Sequence, residues 1–499
     1  MLSAMLLYRA LRAGLKWALD LYYVDIQSLG EERVPEEGPL IVAANHPNSI
    51  MDTVVLGSRT DREIHYMARS GLFENPAVAA LLRRCGVIPI YRRQDQPAGA
   101  VDNRDAFEAA YQVLEAGGAL GIFPEGTNAP ERQVRELKTG TARIALAAEA
   151  RNGFSLGVRI VPVGLSYQDR DRFHSRVLVR FGAPIDAREF AEAYARDPRE
   201  AARELTDRVQ EALRGEAVHI HDLRHERLVK SIEAIYGEIV LEERLGALPD
   251  LRGSGRRLLD RAALRSGRRV DLDGRFTVTQ WIADAIAHYE AHEPETLARV
   301  RRAVDRHEDH LAQVRMRHDF AARPAHTLSS RKEALKLTLY ALLLAPLALW
   351  GFAHNVVPYR LTRWLSSRAP DEAMRAITAF LGGAVIYGLV YAAYGIALLR
   401  AGDSPWLVAA YLTSLPITGF WFLRYGRRLL RYRDRILVRT LFRTRRHLHR
   451  QLLFEREQLH ITLGELRRFY EDHVARERER AAGLEPGDAM PARAPAPDA

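Results

Sequence analysis

His46 and Asp52 are the first residues whose types and spacing could do chemistry. They lie in the run Asn45-His46-Pro47-Asn48-Ser49-Ile50-Met51-Asp52, directly after the apolar stretch Leu40–Ala44. Moving an acyl group onto an alcohol requires the hydroxyl to lose its proton as it attacks, and imidazole has the ordinary pKa that suits this task. A carboxylate bonded to the second ring nitrogen would fix the tautomer and stabilise the imidazolium, a part open to Asp52. A histidine near an aspartate is also a common accident, and many such histidines only complete a local hydrogen-bond network. The pair gains meaning from the blocks that follow it.

The next block, Gly86-Val87-Ile88-Pro89-Ile90-Tyr91-Arg92-Arg93, reads as a strand delivering guanidinium groups at its end. Arg92 could grip a phosphate through paired, charge-assisted hydrogen bonds, although an arginine pair after a strand is commonly just solvated surface. Phe123-Pro124-Glu125-Gly126-Thr127 again follows an apolar stretch, Ala119–Phe123. Gly126 lets backbone approach a ligand closely, and Glu125 and Thr127 can hold substrate hydroxyls; a plain turn with Thr127 as a helix cap is the competing reading. Ile160-Val161-Pro162-Val163-Gly164 reads as a core strand first and as a wall for an acyl chain second.

In this order and spacing the four blocks resemble the glycerophospholipid acyltransferase superfamily, which includes lysophosphatidic acid and glycerol-3-phosphate acyltransferases. The resemblance covers roughly residues 30–190, and Phe-Pro-Glu-Gly-Thr is its most specific signature. Leu137-Lys138-Thr139-Gly140 and Arg180-Phe181-Gly182-Ala183-Pro184 also look like the family. The resemblance implies His46 as general base with Asp52 as its partner, and Arg92 on the acceptor phosphate. It implies Glu125, Gly126 and Thr127 around the acceptor, and Lys138 as a further phosphate contact. It also implies direct transfer from the thioester of acyl-CoA or acyl-carrier protein, with no metal, no cofactor and no covalent acyl-enzyme, so neither Cys85 nor Ser49 is assigned a nucleophilic role.

One departure stands out: five residues separate His46 from Asp52, where the family usually has four, and the extra residue must be absorbed in the turn around Pro47. Such a His-Pro-Asn variant is similar to a branch of eukaryotic glycerol-3-phosphate or dihydroxyacetone-phosphate acyltransferases. The acceptor is therefore read as glycerol-3-phosphate, with a 1-acyl-glycerol-3-phosphate (lysophospholipid) acceptor as the alternative. Asn128 and Ala129, standing where the family often has Arg-Ser, leave that choice open. A non-catalytic, lipid-binding protein that keeps the fold is a second reading; intact His46, Asp52, Arg92 and Glu125 argue against it.

These residues need a scaffold. From about Val34 to Gly182, β-branched runs alternate with helical stretches such as Arg104–Glu115 and Thr141–Arg151, which reads as α/β, and Pro184 to about Gly215 reads as a closing helix pair. The fold class expected is an α/β acyltransferase domain, a mixed sheet flanked by helices, with a helical C-terminal part containing transmembrane segments. The chain has 499 residues, more than one core usually organises. Residues 1–29 read as an amphipathic interfacial helix, with packing on the domain as the alternative. The acyltransferase domain is placed at 30–215, a charged helical region at 216–330 and a membrane region at 331–424. A basic helical tail at 425–480 and a disordered tail at 481–499 complete the division.

The formal net charge of +10 calls for an anionic partner. Apolar segments at Leu337–Val357, Ile377–Leu399 and Pro405–Leu423 point to anionic lipid, and no nucleic-acid-binding motif is present, so the Arg-rich run Arg252–Arg269 reads as a solvated or headgroup-facing surface. One cysteine, Cys85, excludes an internal disulfide and a CxxC metal pair. Arg9, Arg12, Lys16 and Asp20 interrupt any secretory h-region. Arginines at 360, 363, 368 and 375, and again at 424, 427, 428 and 431, belong on the cytoplasmic side. With a cytoplasmic catalytic domain, the last two segments then form a hairpin and the first, with Pro346, is re-entrant; three full crossings is the alternative. Arg in preference to Lys and abundant Ala suggest a GC-rich bacterial genome, hence a bacterial inner membrane.

Overall fold

Leu40–Ala44 has no polar residue on either face, and all five residues are buried. Such a run suits a central strand covered on both sides by helices. In the computed structural model, which describes residues 2–74, 76–91, 103–128, 131–170, 172–247, 272–313, 331–369, 375, 377–444 and 446–481, it is that strand. The chain runs α1 (Leu2–Tyr22), β1 (Asp25–Leu29), β2 (Leu40–Ala44), α2 (Ile50–Ser58), β3 (Ile64–Arg69), α3 (Pro76–Arg84), β4 (Ile88–Ile90), α4 (Arg104–Glu115), β5 (Ala119–Ile122) and α5 (Gly140–Arg151). It continues through β6 (Arg159–Tyr167), β7 (Arg176–Phe181), β8 (Ile185–Asp186), α6 (Ala191–Arg196), α7 (Pro198–Glu216), α8 (Glu226–Ala247), α9 (Leu272–His292) and α10 (Pro294–Gln313). The last helices are α11 (Arg331–Ser367), α12 (Gly383–Arg400), α13 (Pro405–Thr444) and α14 (Arg446–Ala481).

The strands form one mixed sheet in the order β1-β7-β6-β2-β5-β3-β4, with β8 on β6; every neighbouring pair along the order is parallel except β6 with β7, and β8 is antiparallel to β6. One face packs against α4, α5 and α7 through Ile41, Leu120, Ile144 and Leu205. The other packs against α1 and α2 through Leu19, Val42, Met51 and Leu56.

Three sequence expectations change here. Asp25–Leu29 belongs to the sheet, not to the N-terminal helical segment: its backbone is satisfied by pairing with β7, about 150 residues later, which no local pattern announces. α1 docks on the domain, as the alternative reading of residues 1–29 had it, burying Leu19 and Tyr22, while Arg12 bonds the Gly57 and Thr60 carbonyls and pairs with Asp61 at 2.9 Å. At the far edge, only Ile88–Ile90 of the expected Gly86–Tyr91 strand is β, and Pro89, lacking an N–H, is tolerated because β4 has a single neighbour. The closing helix pair is present as α6 and α7, preceded by the short β8.

The described chain divides into two compact units. One comprises Met1–Leu223, Gly255–Thr277 and Leu335–Arg428; the other Arg224–Ser254, Val278–Ala334 and Leu429–Ala499. In the second, α8, α10 and α14 pack together, so the charged region and the basic tail, expected as separate segments, share one helical unit. The Arg252–Arg269 run and the tail beyond Ala481 lie outside the described residues.

In the first unit, Thr338–Ser367, Thr378–Arg400 and Pro405–Gly426 are long and apolar enough to cross a membrane. α12 and α13 form the expected hairpin, with Gly395 against Leu412. Phe380 stacks edge-on with Tyr22 at 5.6 Å and Phe420 lies 6.3 Å from Phe173, so the open end of the hairpin abuts the sheet domain. α11 stays helical past Pro346 and Pro358, so its return is a bend within the helix rather than a non-helical break. Its first part meets the open end, where the Tyr425 hydroxyl donates to Ala341 O, and its last part returns there, where Thr362 and Leu365 pack on Gly383 and Gly382. Between them Asn355 sits deeper, bonded to Leu415 O and the Tyr391 hydroxyl.

Candidate active site

β2 and β5 are parallel neighbours with Ala43 opposite Ile122. His46 and Glu125 each follow that pair by three residues, so parallel pairing alone carries both to the same, C-terminal edge of the sheet, where ligands of open α/β sheets bind. The Glu125 carboxylate accepts from the His46 backbone N–H at 3.3 Å, joining the two loops. Below them, Asn45 bridges to β6 by accepting from Leu165 N–H at 2.7 Å and donating to Leu165 O at 3.0 Å.

The His46 ring lies 3.0 Å through Nδ1 from Asp52 Oδ2 and stacks on Phe123 with centroids 3.9 Å apart. Asp52 is fully buried, and three donors offset the cost of burying its carboxylate: His46, the Asn48 backbone N–H at 2.7 Å and the Tyr167 hydroxyl at 2.7 Å. Its place in the first turn of α2 adds the favourable end of the helix dipole. Between His46 and Asp52, just before α2, Ser49 adopts φ 51° and ψ −133°, a conformation natural to glycine. Tyr167, Phe123 and Asn45 were not found by sequence reasoning. Tyr167 ends β6, 115 residues from Asp52, and only the β2–β6 pairing brings it near.

Glu125 is 3% exposed, and its Oε2 has no hydrogen-bond partner. Burial pushes its carboxyl from an ordinary 4.5 up to about 7, partly offset by the bond from the His46 amide and the charge of Arg135. Between those values the folded protein holds a proton that the unfolded chain releases, so this group's contribution to stability is complete below pH 4.5 and is lost as pH rises through about 7. Glu125→Gln, neutral at every pH, should therefore be more stable than the parent at pH 8, by up to ~3 kcal/mol, and no more stable at pH 4. Thermal unfolding at the two pH values checks this; an equal difference at both would show that Glu125 does not titrate as described.

Gly126 has φ +69°, a conformation that favours glycine, and the Lys138 ammonium lies over the turn, 2.5 Å from where a Cβ would stand. Lys138 is held by its own N–H to Pro124 O at 2.9 Å. The structure thus brings His46, Asp52, Glu125, Gly126, Thr127 and Lys138 to one edge. Arg92 lies outside the described residues; β4, which it follows, ends at the same edge two strands from β5, and Asn103 clasps the backbone of Tyr91. Cys85 is outside this group, and burial and Glu63 raise its thiol pKa, the opposite of nucleophile activation.

Comparison with known proteins agrees with the geometry. Residues 25–166 match the Acyltransferase family. Glycerol-3-phosphate O-acyltransferase 2 of Saccharomyces cerevisiae is 29% identical over 32% of this chain and 21% of its own length. A 1-acyl-sn-glycerol-3-phosphate acyltransferase of Borreliella burgdorferi is 28% identical over 35% of this chain and 64% of its own. The chain thus spans less than two thirds of either relative. Among solved structures, the 1-acyl-sn-glycerophosphate (LPA) acyltransferase PlsC from Thermotoga maritima is similar, with 22% identity, 42% of this chain and 81% of that one covered, and a TM-score of 0.30.

Proposed function

We propose, from the acyltransferase-family domain at residues 25–166, that the chain transfers a fatty acyl group from acyl-CoA or acyl-carrier protein to a glycerol-phosphate hydroxyl in phospholipid synthesis. The observation that carries this reading is the His46–Asp52 pair, tied through the His46 amide to Glu125 at one sheet edge. With Nδ1–H donated to Asp52, His46 Nε2 takes the acceptor's proton as its oxygen attacks the thioester carbonyl. The tetrahedral intermediate collapses, the C–S bond breaks, and the imidazolium returns its proton to the departing thiolate. Glu125 and Thr127 hold the acceptor's hydroxyls, and Lys138 with Arg92 its phosphate. Transfer is direct, without metal, cofactor or acyl-enzyme.

Glycerol-3-phosphate is the preferred acceptor, supported by the His-Pro-Asn variant and by the name of the Saccharomyces relative. The Borreliella relative's name supports a 1-acyl-glycerol-3-phosphate acceptor as the second reading. Purified protein offered labelled acyl-CoA with glycerol-3-phosphate, dihydroxyacetone phosphate or lysophosphatidic acid separates the two. Transfer to none of them would favour a non-catalytic lipid-binding role.

The setting is a bacterial inner membrane with the site on the cytoplasmic face, where glycerol-phosphates and acyl-thioesters are available. α12 and α13 then cross as a hairpin while α11 enters and returns, as the meeting of both its ends with the hairpin's open end supports. Single cysteines at Ser367, Ser404 and Thr444 in a Cys85→Ala background should react with an impermeant thiol reagent from outside oriented cells only at Ser404. External labelling at Ser367 or Thr444 would overturn this topology in favour of a full crossing by α11.

A further inference from the structure

β6 supports the His46–Asp52 pair from behind at two points. The Leu165 backbone holds Asn45, and two residues further along the same strand the Tyr167 hydroxyl donates to Asp52 Oδ1 at 2.7 Å. The other two bonds to this carboxylate, from His46 Nδ1 at 3.0 Å and from the Asn48 N–H at 2.7 Å, both end on Oδ2. Among the described residues Tyr167 is thus the one donor to Oδ1. It is buried, and Tyr23 packs on it with ring centroids 6.1 Å apart. Burial, with the Asp52 charge beside it, pushes the Tyr167 phenol well above its ordinary 10, so the hydroxyl keeps its proton and remains a donor wherever imidazole titrates.

Two consequences reach His46. With only Oδ2 held, the carboxylate could pivot about that atom and carry the bond to Nδ1 off line; the bond to Oδ1 stops this. The hydroxyl also competes with the imidazole for one negative charge. A protonated ring draws on that charge more strongly than a neutral ring does, so a second donor favours the neutral ring, the form a base must have before it takes a proton.

We infer that Tyr167 is a positioning residue for acyl transfer, which through Asp52 fixes the orientation of the His46 ring and favours its neutral form. The inference rests on the reading of His46 as general base. Also facing the pair among the described residues are Tyr23 after α1, Glu125 from the turn after β5 with Lys138 over that turn, and Arg170 after β6, whose guanidinium donates to Pro47 O at 3.3 Å. None of these donates to Oδ1.

Tyr167→Phe removes the hydroxyl and keeps the ring. In full-length protein, carbethoxylation of His46 by diethyl pyrocarbonate, read by peptide mass spectrometry from about pH 5 to 9, follows the neutral imidazole without turnover. It also reads the ring apart from Glu125, whose own carboxyl titrates at about 7. The rise of this reaction with pH should move upward by about half a pH unit or more in Tyr167→Phe. Plateau kcat should fall about tenfold, the equivalent of one net hydrogen bond, with acceptor KM unchanged. Tyr23→Phe removes an equally buried hydroxyl that feels the Asp52 charge but has no hydrogen-bond partner among the described residues, and should leave the rise in place. A merely structural hydroxyl would lower Tm without moving the rise. An unmoved rise in folded Tyr167→Phe protein, an equal move in Tyr23→Phe or an unchanged plateau kcat would overturn the inference. Absence of transfer in the parent protein would sink the acyl-transfer reading itself, which an unmoved rise in an active enzyme would not.

Discussion

His46→Ala should lower acyl transfer by about 10²- to 10⁴-fold, the usual contribution of a positioned general base, while leaving a folded, membrane-bound protein. The residue is placed for chemistry more than for packing: its side chain remains partly exposed, and its principal packing partner is the Phe123 ring, in a stack worth about 0.5–1.5 kcal/mol. That is small beside the ~5–15 kcal/mol stability of a typical domain. Turnover, membrane partitioning and Tm measured on the same preparation separate the two roles. Near-normal transfer by folded His46→Ala protein would sink the mechanism, because no other described group at this edge is placed with a carboxylate behind it.

Asp52→Asn should be comparably damaging, about 10²- to 10⁴-fold in kcat with little change in acceptor KM. Asp52 Oδ2 accepts from both His46 Nδ1 and the Asn48 amide. An asparagine that sets its oxygen in the place of Oδ2 keeps both of these bonds and turns its NH₂ to the Tyr167 hydroxyl; the opposite orientation sets the NH₂ against both His46 Nδ1 and the Asn48 N–H. In that opposite orientation the NH₂ donates to Nδ1 and selects the tautomer with hydrogen on Nε2, which cannot accept the substrate's proton. Even the other orientation loses the negative charge that stabilises the imidazolium. Because Asn is nearly isosteric and Tyr167 can still donate to a side-chain oxygen or rotate away, the fold should survive. Retention of kcat within a few-fold would show that His46 works without Asp52.

The α/β alternation, the strands now seen as β2, β5, β6 and β7, and most of the site were legible along the chain. Each of those strands is a short, mostly apolar run, and the His46 and Glu125 blocks follow directly from β2 and β5. Local pattern suffices for such features because a run of buried residues records its own surroundings. The Phe-Pro-Glu-Gly-Thr turn is legible for the same kind of reason: the positive φ of Gly126 is a local demand that glycine meets without strain. Composition likewise exposed the three apolar helices, since about 20 apolar residues suffice to span hydrocarbon.

What the sequence by itself left undetermined was everything set by pairing across long separations. The strand role of Asp25–Leu29 exists only because β7 supplies its hydrogen bonds. Tyr167 reaches Asp52 only because β6 lies beside β2. The docking of α1 and the joining of α10 and α14 in one helical unit likewise depend on side chains contributed from distant segments. Residue types and spacing specified which groups could do chemistry; the parallel register of β2 with β5 decided that His46 and Glu125 would do it at one place.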